Sequence, residues 1–130
     1  MNLKPIIVLS EYQILRDIVK RNTDTNLTKD VQQLSNELDR AIVIQEEELN
    51  KKIIRINSEV EFVEEKSKRK MKIQVVLPKN ADFNNGKISI LAPLATALIG
   101  FSENDFVTWN MPNGETKLKI LSVSNENIFD

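Results

Sequence analysis

The spacing of apolar positions changes near residue 50 of this 130-residue chain, from helical before it to mostly alternating after it. Pro5–Leu9 is a short apolar lead-in. Ser10 followed by Gln13 has the form of a capping box, and Leu9 and Ile14 sit where a hydrophobic staple would close. Tyr12, Ile14, Leu15, Ile18 and Val19 form an apolar stripe, which predicts a helix to about Arg21. Asn22–Asn26 is polar and turn-prone. Thr28 can cap a second helix, with Asp30 favourably placed in its first turn. Val31, Leu34, Leu38 and Ala41 step by three, four and three, a heptad seam that would pack on Ile14, Ile18 and Val19. The short polar link makes the two helices antiparallel neighbours. At the helical rise the second reaches only about 20 Å. Helices this short are marginal alone, so the pair must lean on the C-terminal part of the chain, with Ile42, Val43 and Ile44 as candidate contacts.

Glu46–Lys52 is a charged link. Ile54, Ile56, Val60 and Phe62 then alternate with Arg55, Asn57, Glu59 and Glu61, as in a strand buried on one face. Glu64–Lys70 is polar throughout and reads as a solvated hairpin loop. Met71, Ile73, Val75 and Leu77 alternate again until Pro78, which has no N–H to give a ladder. Lys79–Gly86 carries Asn-Asn-Gly turn chemistry. Ile88–Leu91 is a third strand, and Pro93–Ile99 a short helix with Pro in its first turn and Gly100 at its stop. Phe106–Asn110 and Thr116–Val123 are the last strands, joined by a tight turn over Met111–Gly114. The fold class is α+β: a short antiparallel helical hairpin over residues 1–45, then an antiparallel sheet with one short helix over residues 46–130.

Composition narrows the chemistry. With no cysteine and no histidine, the chain has no disulfide, thiolate metal site, Cys nucleophile or His-based acid–base scheme. No cofactor or metal is expected. Net charge is −1, with a pI of about 5.6, which argues against a stand-alone duplex-DNA binder. The lead-in is too short for a signal sequence or a membrane span, so the expected location is the cytoplasm. Lys66, Lys68, Arg69, Lys70 and Lys72 form one basic cluster, diluted by Glu61, Glu64 and Glu65. It reads as a solvated turn, or as a contact for nucleic acid or an acidic surface. Glu46–Glu48 reads as a linker. Trp109 and Phe106 pack in the core or on a sheet face, or else line a pocket. If Ile88 and Ile90 point inward, alternation turns Leu91 outward beside Ala92 and Pro93, a small docking patch. These features describe an interaction module.

The order of several words in the chain resembles the Gre-factor family of bacterial transcription elongation proteins. The words are Asn36-Glu-Leu-Asp-Arg-Ala41, Ile56-Asn-Ser-Glu-Val-Glu-Phe62, Val76-Leu-Pro-Lys-Asn-Ala-Asp82, Ile88-Ser-Ile-Leu-Ala-Pro93, Ala97-Leu-Ile-Gly100, Asp105 and Pro112-Asn-Gly114. The short hairpin is similar to the branch named for Rnk, the regulator of nucleoside diphosphate kinase. The resemblance implies an FKBP-like second domain that docks at the rim of the RNA polymerase secondary channel. It implies that Ser89, Leu91 and Pro93 lie on the strand-to-helix segment that grips that rim. In Gre factors a coiled coil enters the channel, and acidic residues at its tip help the polymerase hold a second Mg²⁺ and cleave backtracked RNA, a use that suits oxygen ligands.

Here the tip, Arg21–Leu27, offers one carboxylate, Asp24, and Asp30 falls inside the second helix. Asn104 stands where many relatives have Gly, and Thr96 where some cleavage factors carry a basic residue. The expected function is therefore that of a monomeric, non-catalytic regulator. It would bind bacterial RNA polymerase near the channel, compete there with other factors, and meet nucleic acid only through the polymerase. The alternatives are a cleavage-stimulating factor and an FKBP-like prolyl isomerase or chaperone. The latter needs a concave aromatic pocket, which one Trp, one Tyr and five Phe do not obviously build.

Overall fold

The computed structural model describes residues 4–23, 29–49, 52–111 and 114–125. Strand β1 (Ile6–Val8) runs straight into helix α1 (Leu9–Thr23), and α2 (Lys29–Arg40) is followed by β2 (Ile42–Ile44). The two strands pair in parallel, Ile6 opposite Ile42 and Val8 opposite Ile44, so the segment entering the helix pair is stitched to the one leaving it. Each run is only three residues long, too short for alternation to reveal a strand. Ser10 consequently sits within the first turn of α1 and not at its cap. Ile42 and Val43 are 48% and 39% exposed: they serve this small ladder and do not lean on the body.

Val31, Leu34 and Leu38 of α2 are buried together with Leu15 and Val19 of α1, as the heptad seam requires. On α1 the buried line is Glu11, Leu15 and Val19, spaced by one helical turn. Ile14 is 44% exposed and lines an open cleft of about 390 Å³ with Ile18, Leu77 and Pro78. Arg16 braces the pair from outside, its Nε donating to the Tyr12 hydroxyl at 2.9 Å and its fork meeting Asp39. Asp24 and Thr28 lie outside the described residues.

The main sheet contains β3 (Glu59–Glu64), β4 (Arg69–Val76), β5 (Lys87–Ser89), β6 (Phe106–Met111) and β7 (Gly114–Ser124) in the order β5-β4-β3-β7-β6. It is antiparallel except at one edge, where β5 runs parallel to β4. A parallel neighbour needs a crossover, and residues 77–86 supply it through two short 3-10 turns at Pro78–Asn80 and Phe83–Asn85. This corrects the all-antiparallel expectation. The first strand also begins later than alternation implies. Ile53, Ile54, Arg55 and Ile56 are all buried in sequence, and Asn57 turns the chain at φ +77° before β3 starts. The inner sheet face (Val60, Phe62, Val75, Leu118, Ile120) and the helix pair (Leu15, Leu34, Leu38) belong to one continuous core. Helix α3 (Pro93–Leu98) packs on β6 and against α2. Among the described residues no helix is long and apolar enough to cross a membrane.

Candidate functional site

Ser89, Leu91 and Pro93 come together in the turn from β5 into α3. Pro93 occupies the first helical position, where its missing N–H costs nothing and its fixed φ suits the helix. Ser89 closes the turn twice: its Oγ accepts the Leu91 N–H at 3.1 Å, and its carbonyl accepts the Ala92 N–H at 2.8 Å. Ile90 is fully buried; its N–H donates to the Val76 carbonyl and its carbonyl accepts the Thr96 hydroxyl, both at 2.8 Å. Ladder pairing ends at Ser89, so strand alternation no longer governs Leu91. Its side chain is half-buried, packed against the core rather than free in water. The turn is a rigid, partly apolar shoulder held from both sides.

Gly100 ties this shoulder to the N-terminal strand. Its carbonyl accepts the Ile6 N–H and its N–H donates to the Ile54 carbonyl, each at 2.9 Å. With φ at +85°, it adopts the left-handed geometry that glycine tolerates without strain.

A buried ionic junction lies where the helix pair meets the body. Arg55 Nε donates to Glu11 Oε2 at 2.6 Å, and both terminal nitrogens donate to Glu46 at 2.9 Å. Glu11 also accepts the Ile56 N–H at 3.0 Å. Burial works to lower the Arg55 pKa, but the bonds to Glu46 and Glu11 outweigh it and hold the guanidinium above its ordinary value. Sequence reasoning missed this junction, reading Arg55 as a solvent-facing strand residue and Glu46 as linker. The three groups are 44 and nine positions apart, beyond any local pattern. The available signal was a carboxylate at the head of the Leu15/Val19 line.

Of the basic cluster, Lys66 and Lys68 lie in the β3–β4 turn and Arg69, Lys70 and Lys72 on β4. Glu64 organises that turn. It accepts the Thr116 hydroxyl, the Lys66 N–H at 2.6 Å and the Ser67 N–H at 3.1 Å. These bonds, Thr116 first, hold its carboxyl at about 2 instead of 4.5. Because the folded value is the lower one, the turn keeps this tie above about 4.5 and loses it as the pH falls through about 2. A carboxyl-detected NMR titration should find the Glu64 midpoint near 2, and Thr116→Val should raise it. Phe106 and Trp109 point to opposite sheet faces, Phe106 48% exposed and Trp109 against the core, so they do not line a common pocket. Phe83, 82% exposed in the crossover, carries no local sequence signal that singles it out.

Residues 49–125 match the family described as transcription elongation factor GreA/GreB, C-terminal. The chain belongs to the GreA/GreB family. It is 33% identical over 93 residues to the transcription elongation factor GreA of Bartonella henselae, covering 72% of this chain and 59% of that protein. To the GreA of Brucella canis it is 31% identical over 113 residues, covering 81% and 72%. Several of these GreA proteins are matched over only 59–61% of their length. The solved GreA/GreB factor of Nitrosomonas europaea superposes with a TM-score of 0.74 at 31% identity, covering 93% of this chain and 99% of that one. Gfh1 of Thermus thermophilus, at 19% identity and a TM-score of 0.51, shares the fold.

Two departures from the Gre pattern have a structural reading. Asn104 takes φ +73°, a conformation that Asn tolerates among non-glycine residues. Its turn is closed by Asp105, whose carboxylate accepts the Ser102 N–H at 2.8 Å. Thr96 is fully buried, so a basic side chain at this position would have to leave the core.

Proposed function

We propose that this Gre-family chain is a non-catalytic transcription regulator. It docks on bacterial RNA polymerase at the rim of the secondary channel and competes there with other channel-binding factors. An FKBP-like body, residues 46–130, makes the contact through Ser89, Leu91 and Pro93, and a short arm, residues 1–45, occupies the mouth. The observation that carries the reading is a GreA/GreB C-terminal match joined to helices of only 15 and 12 residues, about 22 and 18 Å long. An arm of that length is poorly equipped to carry a carboxylate to a deep active centre, and its link offers only one, Asp24. The protein acts as a cytoplasmic monomer and contributes no catalysis of its own. The rigid turn supports docking because little ordering entropy is lost on binding.

Pull-down with purified core polymerase tests the docking surface. The wild-type chain should be retained. Leu91→Asp and Pro93→Ala should lower retention at least tenfold while keeping a cooperative melt; Lys52→Ala, outside this turn, should not. Undiminished retention of both folded variants would remove this turn from the interface.

A further inference from the structure

The outer face of the sheet carries a second surface. Strand register places Lys70 opposite Val63, Val63 opposite Lys119, and Lys119 opposite Phe106, a single row across β4, β3, β7 and β6. Lys117 lies one step along the same face of β7, facing Thr108, and Lys72 one step along β4. The two lysines that flank Val63 are two strand spacings apart, about 10 Å. Phe106 is 48% exposed, with the Lys119 ammonium 5.7 Å from its ring centre. None of these four lysines is in an ion pair among the described residues. Glu64, the nearest strand carboxylate to the turn, is occupied by Thr116 and by the backbone of the turn. In a chain of net charge −1, the row itself carries no carboxylate and has an aromatic ring at its edge; Glu59 and Glu61 of β3 and Glu115 of β7 lie further along the same face.

We infer that this face binds single-stranded nucleic acid directly, with phosphates on Lys70, Lys117 and Lys119 and a base stacked on Phe106. Alternating cations and an open aromatic face match a strand that alternates phosphates and bases. An acidic peptide would use the lysines and leave the ring without a partner. A duplex needs more cations than this, and would meet Glu61 on the same face. The inference does not depend on polymerase docking, which uses a different turn, and it replaces the expectation that nucleic acid is met only through the polymerase.

The test is fluorescence anisotropy of a labelled twelve-nucleotide oligouridine with the full chain, titrated at several potassium chloride concentrations. Saturable binding at low salt is expected, weakening with a log–log slope of about −2 to −3, since each neutralised phosphate contributes about −0.7. Lys117→Gln with Lys119→Gln should flatten the slope by about 1.4. Phe106→Ala should weaken binding about tenfold and leave the slope unchanged. Lys79→Gln with Lys87→Gln, away from the row, should change neither. All these side chains are solvent-accessible, and circular dichroism melts check that the variants stay folded. Three results overturn the inference: no saturable binding at about 20 mM salt, where the Debye length is about 20 Å and screening is weak, equal loss in the Lys79/Lys87 control, or indifference to Phe106→Ala. The last, combined with equal binding of a polyglutamate peptide, would reassign the face to an acidic protein.

Discussion

Arg55→Met is expected to destabilise the protein by about 3–5 kcal/mol, because it strands a buried carboxylate without its counter-charge. The Glu11 side chain is 10% exposed and that of Arg55 7%, so water cannot replace the lost partner. Against an ordinary domain stability of about 5–15 kcal/mol, this is a large fraction. Arg55→Lys should recover little, since an ammonium cannot reproduce a planar fork that serves two carboxylates at once. Glu46→Ala should cost less, about 1–3 kcal/mol: both terminal nitrogens of the buried guanidinium lose their acceptor, but water can reach the half-exposed Glu46 position and Glu11 still holds Nε. Combining Arg55→Met with Glu11→Leu should return part of the loss. Recovery stays incomplete because the Ile56 N–H then lacks its acceptor, a penalty of about 1–3 kcal/mol. Urea unfolding of the four variants measures each difference. If Arg55→Met alone costs less than Glu46→Ala, the junction does not hold the helix pair to the body.

Gly100→Ala should be nearly as damaging. A Cβ there would stand 2.6 Å from Pro5 Cβ, 3.0 Å from the Ile6 nitrogen and 3.1 Å from the Ile6 oxygen, at φ +85°. Two of those neighbours are backbone, so no side-chain rotation relieves the clash. Positive-φ strain and overpacking each cost about 1–3 kcal/mol, which predicts a combined loss of about 2–6 kcal/mol and a Tm lower by roughly 10–20 °C. The converse change at another left-handed turn, Asn104→Gly, should leave the Tm within about 3 °C. Thermal melts compare the two. A Gly100→Ala protein as stable as wild type would mean that β1 can retreat from the body without consequence.

Both positions show where sequence reading stops. The helix pair, the heptad seam on α2, the two long hairpins and the β5–α3 turn are legible, because each rests on spacing within a dozen residues. Gly100 is legible as a helix stop, but its contact with Pro5 is not, since the two are far apart in sequence and β1 is too short to be read as a strand. The parallel β4–β5 edge is hidden because the crossover over residues 77–86 contains no helix to announce it. Leu91 points outward only if alternation is carried past Ser89, where the ladder ends. Arg55 alternates correctly with Ile54 and Ile56 and is nevertheless buried, because a carboxylate on a distant helix satisfies it. The basic cluster of the β3–β4 turn is plain in the sequence. Its extension through Lys117, Lys119 and Phe106 requires the register of β7.

A competition experiment on stalled, backtracked polymerase tests the central claim most directly. RNA cleavage is driven by a full-length GreA, and this chain is titrated against it. The chain alone should produce no cleavage, and it should suppress GreA-driven cleavage in a saturable way, with Leu91→Asp much weaker. Cleavage by the chain alone, especially if lost in Asp24→Ala, or no suppression at saturating concentration, would contradict a non-catalytic competitor at the channel rim.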